Sequence, residues 1–274
     1  MRTALLQLNA SDDPVENLAT VTGMITTAVA GGAGFVLTPE VTNCLSTSRS
    51  HQKDVLCHEE DDPTLSALRQ EAARHGIWLL IGSLGVKTHD ADGRFANRQF
   101  LIDPTGEIIA RYDKIHMFDV EVSPEETYRE SDGYRPGTQA VVVETPFAKI
   151  GMTICYDVRF PKLHRALAHG GAQILTAPAA FSYVTGAAHW HALLRAIETG
   201  CYVLAPAQTG KHKSSRGQSR QTYGHSLVVA PWGDILLDAG DEPGVSFVDL
   251  DMGLVAQARR RVPSLTHDRE FDGP

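Results

Sequence analysis

The chain has 274 residues, 42% of them apolar, enough for a dry core in one large domain or two fused halves. Its 33 acidic residues outnumber 25 basic ones, and a net charge of −8 is the wrong sign for a protein that neutralises phosphates, so nucleic acid is not an expected partner. No apolar run is long enough to span a bilayer, the apolar stretch before Ser11 is too short for a secretory signal, and Cys44, Cys57, Cys155 and Cys201 form no Cys-x-x-Cys pair. A cytoplasmic protein with reduced thiols and no membrane partner is expected.

Residues 3–8 read as a buried strand, and Ser11 to Pro14 carry the capping signal of a helix that Gly31 and Gly32 end. Phe35 to Thr38 form a second strand. Asp62 and Pro63 open another helix, with Leu65, Leu68 and Ala72 on one face and Gly76 at its end; Ile77 to Val86 are strand again. Phe100–Asp103 and Ile108–Tyr112 flank the turn Pro104-Thr105-Gly106 as an antiparallel hairpin, so the sheet is mixed.

This plan repeats about half a chain later. Gly31-Gly32-Ala33-Gly34-Phe35-Val36-Leu37-Thr38-Pro39 is matched by Gly170-Gly171-Ala172-Gln173-Ile174-Leu175-Thr176-Ala177-Pro178. Each copy is followed by a helix, a strand (Cys201 to Ala205 in the second half) and a hairpin, the later one turning at Pro231-Trp232-Gly233. One half alone leaves an apolar sheet face bare, whereas two halves can stack sheet on sheet with helices outside. The expected fold is α/β, a four-layer αββα sandwich of two mixed sheets with pseudo-twofold half-domains, making one domain of residues 1–274.

Lys149 to Thr153 read as a strand that runs into Ile154-Cys155-Tyr156-Asp157 and then a helix over Leu163 to Ala168, so Cys155 sits at a strand-to-helix turn. Such a turn lifts a nucleophile out of the sheet and points amides at what it attacks. A free thiol is only a few per cent thiolate near neutrality, so an attacking cysteine needs a base or cation beside it. Glu40 directly follows a strand, at the sheet end where open α/β sheets build their sites, and Lys114 follows the hairpin strand. Taken singly, a cysteine at a strand end is more often a small buried hydrophobe, and a charged residue there a solvated loop group.

Together these residues resemble the nitrilase superfamily of carbon-nitrogen hydrolases, whose members carry Glu, Lys and Cys in this order. Leu37-Thr38-Pro39-Glu40 resembles the glutamate motif, Tyr112 to Asp119 the lysine motif, and Gly151 to Pro161 the cysteine motif, a likeness that spans nearly the whole chain. A second family glutamate corresponds to Glu130, with Glu125 and Glu126 as rivals. The resemblance implies that Glu40 takes the thiol proton, Cys155 attacks the amide carbon and Lys114 stabilises the oxyanion. Ammonia then leaves with the proton returned by Glu40, which next activates water against the thioester. Glu130 orients Lys114 or the substrate amide, and the Tyr156 backbone amide is a second oxyanion donor. No metal or organic cofactor is implied, since nucleophile, base and oxyanion stabiliser are all side chains.

True nitrilases show Cys-Trp-Glu where this chain has Cys155-Tyr156-Asp157, so amides fit better than nitriles. Ala207 to His212, Tyr223-Gly224-His225-Ser226, Pro231-Trp232-Gly233 and Arg261 to His267 resemble the deaminated-glutathione amidase branch, with ω-amidase as its neighbour. That likeness implies a small amide substrate of the 2-oxo acid type and a cationic contact for its carboxylate. Residues 208–223 read as one long loop holding Lys211, Lys213, Arg216 and Arg220 with no acidic residue, from which Arg216 and Arg220 are candidates. Phe181, Tyr183, Thr185 and His189 resemble the family's substrate-side loop, and Arg159 closely follows the nucleophile. His189-Trp190-His191 is not expected to bind metal, because histidines at i and i+2 diverge on a helix and no carboxylate completes a site.

The run from His189 to Thr199 is two residues shorter than the related family helix, which reads Arg-Ala-Arg-Ala before Ile-Glu. The resemblance further implies a homodimer, with the tail from about residue 262 in its contact. The rival activities are ω-amidase, N-carbamoyl amino acid hydrolase and nitrilase; the rival from another class is an inactive binding protein on the same fold.

Overall fold

The computed structural model describes residues 1–123, 126–185 and 191–273. In the first half the strands are β1 (Arg2–Gln7), β2 (Phe35–Leu37), β3 (Trp78–Lys87), β4 (Phe95–Ile102) and β5 (Ile108–Asp113). A hairpin of β6 (Asp119–Ser123) and β7 (Glu126–Arg129) leads to β8 (Val141–Glu144), β9 (Lys149–Met152), β10 (Ile174–Thr176) and β11 (Tyr202–Ala205). The chain continues through β12 (Thr209–Lys211), β13 (Gln221–Tyr223), β14 (Leu227–Val229), β15 (Ile235–Asp238) and β16 (Gly244–Asp249). The helices are α1 (Pro14–Ala30), α2 (Arg49–Val55), α3 (Pro63–His75), α4 (Pro161–His169), α5 (His191–Thr199) and α6 (Gly253–Arg261).

The local signals explain the helix ends. The Asp13 carboxylate accepts from the amides of Val15 and Glu16 with Pro14 at the first helical position, and Asp62 caps Leu65 with Pro63 behind it. Gly76 closes α3 in the left-handed region, at φ 62°, where a side chain would be strained.

Two six-stranded sheets result, ordered β16-β1-β2-β3-β4-β5 and β8-β9-β10-β11-β14-β15. Strand directions match one for one: an antiparallel edge strand, three parallel strands, then two antiparallel ones. The two Gly-Gly-Ala copies lead into β2 and β10, which hold equivalent places, so the internal repeat is a repeat of structure. The edge strand beside β1 is β16, from the end of the chain, while β8 immediately precedes its neighbour β9.

Alternation along the strands sorts the apolar side chains into three layers. Leu5, Phe35, Leu37 and Leu80 face Ile150, Met152, Ile174, Tyr202 and Leu204 between the sheets. Ala4, Leu6, Val36 and Leu79 turn the other way against Val21, Ile25, Leu65 and Leu68 of α1 and α3. Leu175, Val203, Leu227 and Val229 pack under Leu163, Leu167, Ala192 and Ala196 of α4 and α5. Three apolar interlayers define the four-layer αββα sandwich. Among the described residues no helix is long and apolar enough to cross a membrane.

One expectation changes. Residues 208–223 are a short hairpin, β12 paired with β13, and its first strand is tied to the first half by Thr209 N–H donating to the Leu8 carbonyl at 2.7 Å. Three-residue polar strands are too short to show a period, which is why the stretch reads as loop. The shortened helix is observed as α5 from His191; its expected start at His189 lies outside the described residues.

Candidate active site

The ends of β2, β5 and β9 converge on one point. Glu40 sits in a turn stitched by the Thr42 hydroxyl, which donates to the Pro39 carbonyl at 2.8 Å, and by the Val41 amide, which donates to Ser83 Oγ at 2.8 Å. A Cβ on Gly82 would lie 2.0 Å from the Thr38 carbonyl, so only glycine lets β3 pass this turn. Val41 has φ 48° and Cys155 φ 50°, so the residue after the base and the nucleophile itself both hold left-handed backbone that costs non-glycine residues energy. Cys155 begins a single 3₁₀ turn, and its amide donates to the Pro178 carbonyl at 2.8 Å. Gln208, fully buried, ties the halves together by donating to the Glu40 carbonyl at 3.0 Å and accepting from the Ala10 amide at 3.1 Å.

Lys114, only 2% exposed, donates to Glu40 Oε1 at 2.8 Å and to Glu130 at 2.9 and 3.1 Å. Glu130 also accepts from the Phe118 amide at 2.7 Å, and Asn97 donates to both carboxylates, at 2.9 Å to Glu40 and 3.2 Å to Glu130. The Cys155 thiol lies beside Glu40 and the Ala180 amide, and both act on its charge. Glu125 and the side chain of Glu126 lie outside the described residues.

Charge follows from these contacts. Burial alone would raise the Glu40 carboxyl, but the Lys114 ammonium, with hydrogen bonds from Lys114, Cys155 and Asn97, outweighs it and holds the group below the usual glutamate range. Burial likewise opposes charge on Lys114, and the two carboxylates overcome it, raising its pKa well above the usual lysine value. Burial and Glu40 push the Cys155 thiol well up, against the pull of Lys114 and the Ala180 amide. The resting arrangement is therefore a neutral thiol beside a charged carboxylate, and a thiolate forms only as Glu40 takes the proton.

These groups lie in a cleft of about 730 Å³. Phe181, Tyr183 and Arg220 line it; Tyr156, Arg159, Thr185 and Arg216 are not among its lining residues. The Tyr156 ring instead packs edge-on against Phe118 and Phe160, Arg159 reaches His191 at 3.5 Å, and Thr185 closes a turn with Ser182. Arg216 is exposed and paired with Asp54 at 2.8 Å, so its charge is spent outside the cleft. His189 lies outside the described residues. Arg220 is fixed by donating to the Ala180 carbonyl at 2.9 Å and lies 5.3 Å from the Tyr128 ring. Arg49 of α2 shares the cleft, 5.1 Å from the Tyr134 ring and donating to Gln52 at 2.8 Å. Both guanidinium groups are half-buried, and no described carboxylate pairs with either.

Arg49, Asn97, Ala180 and Gln208 are site residues that sequence reading passed over. Cys44 also lines the cleft, but burial and nearby Asp12 and Asp13 push its thiol up to about 12, with its sulfur 3.5 Å from the Asp12 carbonyl. Elsewhere, His58, Glu60 and His89 bring possible metal-donor atoms within 4.8 Å of one another; His89 is paired with Glu60 at 2.9 Å and stacked on His58, contacts that account for the grouping without an ion.

Residues 2–260 match the model of the family described as carbon-nitrogen hydrolase. The chain is 39% identical over 269 residues to a deaminated glutathione amidase of Yersinia enterocolitica, covering 97% of this chain and 92% of that one. It superposes on the crystal structure of the C. elegans NitFhit protein with a TM-score of 0.89 at 34% identity, covering 98% of this chain and 65% of that one, so it spans about two-thirds of that longer protein. A mutant amidase from Nesterenkonia sp. AN1, in which acrylamide has added at the active-site cysteine, aligns with a TM-score of 0.78 at 28% identity over 96% of this chain and 98% of that one. The chain belongs to the carbon-nitrogen hydrolase family, within the nitrilase superfamily, and is a hydrolase of carbon-nitrogen bonds.

Proposed function

We propose that the protein is a thiol-dependent amidase that hydrolyses the terminal amide of a small, carboxylate-bearing substrate of the 2-oxo acid type, like deaminated glutathione. The observation that carries this reading is the contact of Cys155, Glu40 and Lys114 on the floor of a cleft whose walls hold Arg49 and Arg220, with no carboxylate paired to either among the described residues. A half-buried cation that has only neutral partners is costly, and a substrate carboxylate would supply the missing opposite charge.

In this mechanism Glu40 accepts the Cys155 proton as sulfur attacks the carbonyl carbon. Lys114 and the Tyr156 amide hold the oxyanion, with Glu130 and Asn97 fixing Lys114 and Glu40 in place. Collapse expels ammonia with the proton from Glu40, leaving a thioester. Glu40 then takes a proton from water, which attacks the thioester and frees the acid. One domain suffices for the whole cycle.

We also propose a homodimer in the cytoplasm. Exposed Leu194, Ile197, Trp232 and Val262 lie on α5, the β14–β15 turn and the start of the tail, and the four cysteines are unpaired, as a reducing compartment requires. The experiment is ammonia release from a panel of 2-oxo acid amides, neutral amides, ureido acids and nitriles. Preference for the first group supports the reading; turnover of ureido acids or nitriles alone replaces it with carbamoylase or nitrilase activity, and no turnover of any supports a binding protein.

A further inference from the structure

Asp157, two residues beyond the nucleophile, has no exposed surface, and the proposed chemistry leaves it unused. Its carboxylate meets four donors. Oδ2 accepts from the Tyr112 hydroxyl at 2.6 Å and the Ile154 amide at 2.9 Å; Oδ1 accepts from the His116 amide at 3.1 Å and lies 2.6 Å from His116 Nδ1. Tyr112 and His116 flank Lys114 in the first half of the molecule, and Ile154 directly precedes Cys155 in the second. His116 is further clamped by stacking on Phe160 at 3.5 Å.

We infer that Asp157 is a positioning residue, a buried strut that sets the separation of Lys114 from Cys155 by tying the lysine-bearing turn to the cysteine elbow. The inference rests on the roles proposed above for Lys114 and Cys155. Those two side chains arrive from opposite half-domains, so their register is set only by contacts that cross between them, and this carboxylate bonds both segments at once. It also braces the left-handed backbone at Cys155, because the Ile154 amide is held on one side of the strained residue while Asp157 itself lies on the other. A displaced Lys114 would serve poorly as oxyanion donor, and it would no longer hold the charge of Glu40. Glu40, beyond the end of β2, is faced by Lys114 from the end of β5, Asn97 from β4 and Cys155 from beyond β9, and Glu130, from beyond β7, shares Lys114 and Asn97 with it; of these groups only Lys114 is a cation.

Asp157→Asn tests the strut, since an amide keeps one accepting oxygen and turns a nitrogen toward either Ile154 N–H or the two His116 donors. The inference expects kcat to fall on the order of a hundredfold with KM nearly unchanged, and the acid limb of kcat/KM to move to higher pH as Glu40 loses its cation. Tyr112→Phe removes one donor and should lower kcat about tenfold with the same direction of shift. His116→Asn, whose side-chain nitrogen can replace Nδ1–H, should stay close to wild type, whereas His116→Ala should lose about tenfold.

Rates are expressed per folded molecule, counted from the folded fraction by circular dichroism on the same preparation. If the losses vanish on that basis with the acid limb unmoved, or if Asn and Ala at position 116 behave alike, Asp157 is a structural residue only. Should Asp157→Asn not fold, the Tyr112 and His116 variants decide by the same criteria. Cys155→Ala run in parallel separates the two levels: activity in that variant defeats the proposed mechanism, while its inactivity beside unaffected strut variants defeats only this inference.

Discussion

Lys114 Nζ lies 2.8 Å from Glu40 Oε1 and makes its other contacts with Glu130, so one buried cation serves two carboxylates. Lys114→Ala should therefore do two things. Turnover should fall by roughly a hundredfold to a thousandfold, as when one oxyanion donor is lost, and the protein should lose about 3 to 5 kcal/mol because two buried carboxylates are left without their cation. Steady-state kinetics and urea unfolding check both; an unchanged kcat would remove Lys114 from the oxyanion site.

Glu40→Gln keeps the shape of the side chain but removes the proton acceptor used in both half-reactions. It should be worse than Lys114→Ala, and raising the pH to form thiolate unaided should not rescue it, because deacylation still lacks a base. A burst of ammonia release followed by steady turnover at wild-type rate would contradict this.

The charged state of Glu40 sets the acid side of the pH profile. Its folded pKa is depressed, so the base is intact above the ordinary value of 4.5, and kcat/KM should fall only at lower pH, as the carboxylate is protonated. The same sign governs its contribution to stability, which is present above 4.5 and lost as pH falls through the folded value. Lys114 has the opposite sign: its raised pKa gives a contribution fully present below 10.5 and lost as pH rises through the folded value. An acid limb above 4.5 in the intact enzyme would show that Lys114 does not hold Glu40 ionised.

Two buried histidines make a separate acid-stability prediction. Burial depresses His164 and His212 to about 4 from an ordinary 6.5, and His212 is held neutral between the Ala10 carbonyl at 2.7 Å and the Thr222 hydroxyl at 2.6 Å. Because their folded pKa lies below the unfolded one, stability is unaffected above 6.5 and declines as pH falls toward 4, by on the order of 3 kcal/mol for each. His212→Gln should flatten that part of the stability–pH curve; an unchanged slope would assign the acid sensitivity elsewhere.

Arg220→Ala should weaken kcat/KM for carboxylate-bearing amides by about 1.5 to 3 kcal/mol and spare neutral amides, and Arg49→Ala should act in the same direction. Arg216→Ala should change neither, since that side chain is held outside the cleft by Asp54. Equal losses on charged and neutral substrates would mean that the cleft arginines shape the wall without reading charge.

Much of this arrangement was legible in the sequence, for identifiable reasons. Asp13-Pro14 and Asp62-Pro63 signal helix starts by chemistry that needs no tertiary context, and the repeated Gly-Gly-Ala segments mark equivalent strands because each ends a helix just before a buried run. Glu40, Lys114 and Cys155 stand out because each directly follows a strand within a distinctive local motif. The cleft walls were not legible. Arg49 lies on a seven-residue helix too short to show a period, and Arg216 looks as good a ligand as Arg220 until Asp54 is seen beside it. Asn97 sits mid-strand, where a polar residue ordinarily faces solvent, and Ala180 contributes only a backbone amide, which no side-chain pattern reports.

The central claim is that Cys155 forms the thioester, and Cys155→Ala tests it most directly when ammonia release and thermal unfolding are measured on the same preparation. The account predicts release at the uncatalysed background from a protein that unfolds as wild type does, because the thiol is small and the three apolar layers do not depend on it. Amide hydrolysis at the wild-type rate in that variant would contradict the account and move the nucleophile to another residue.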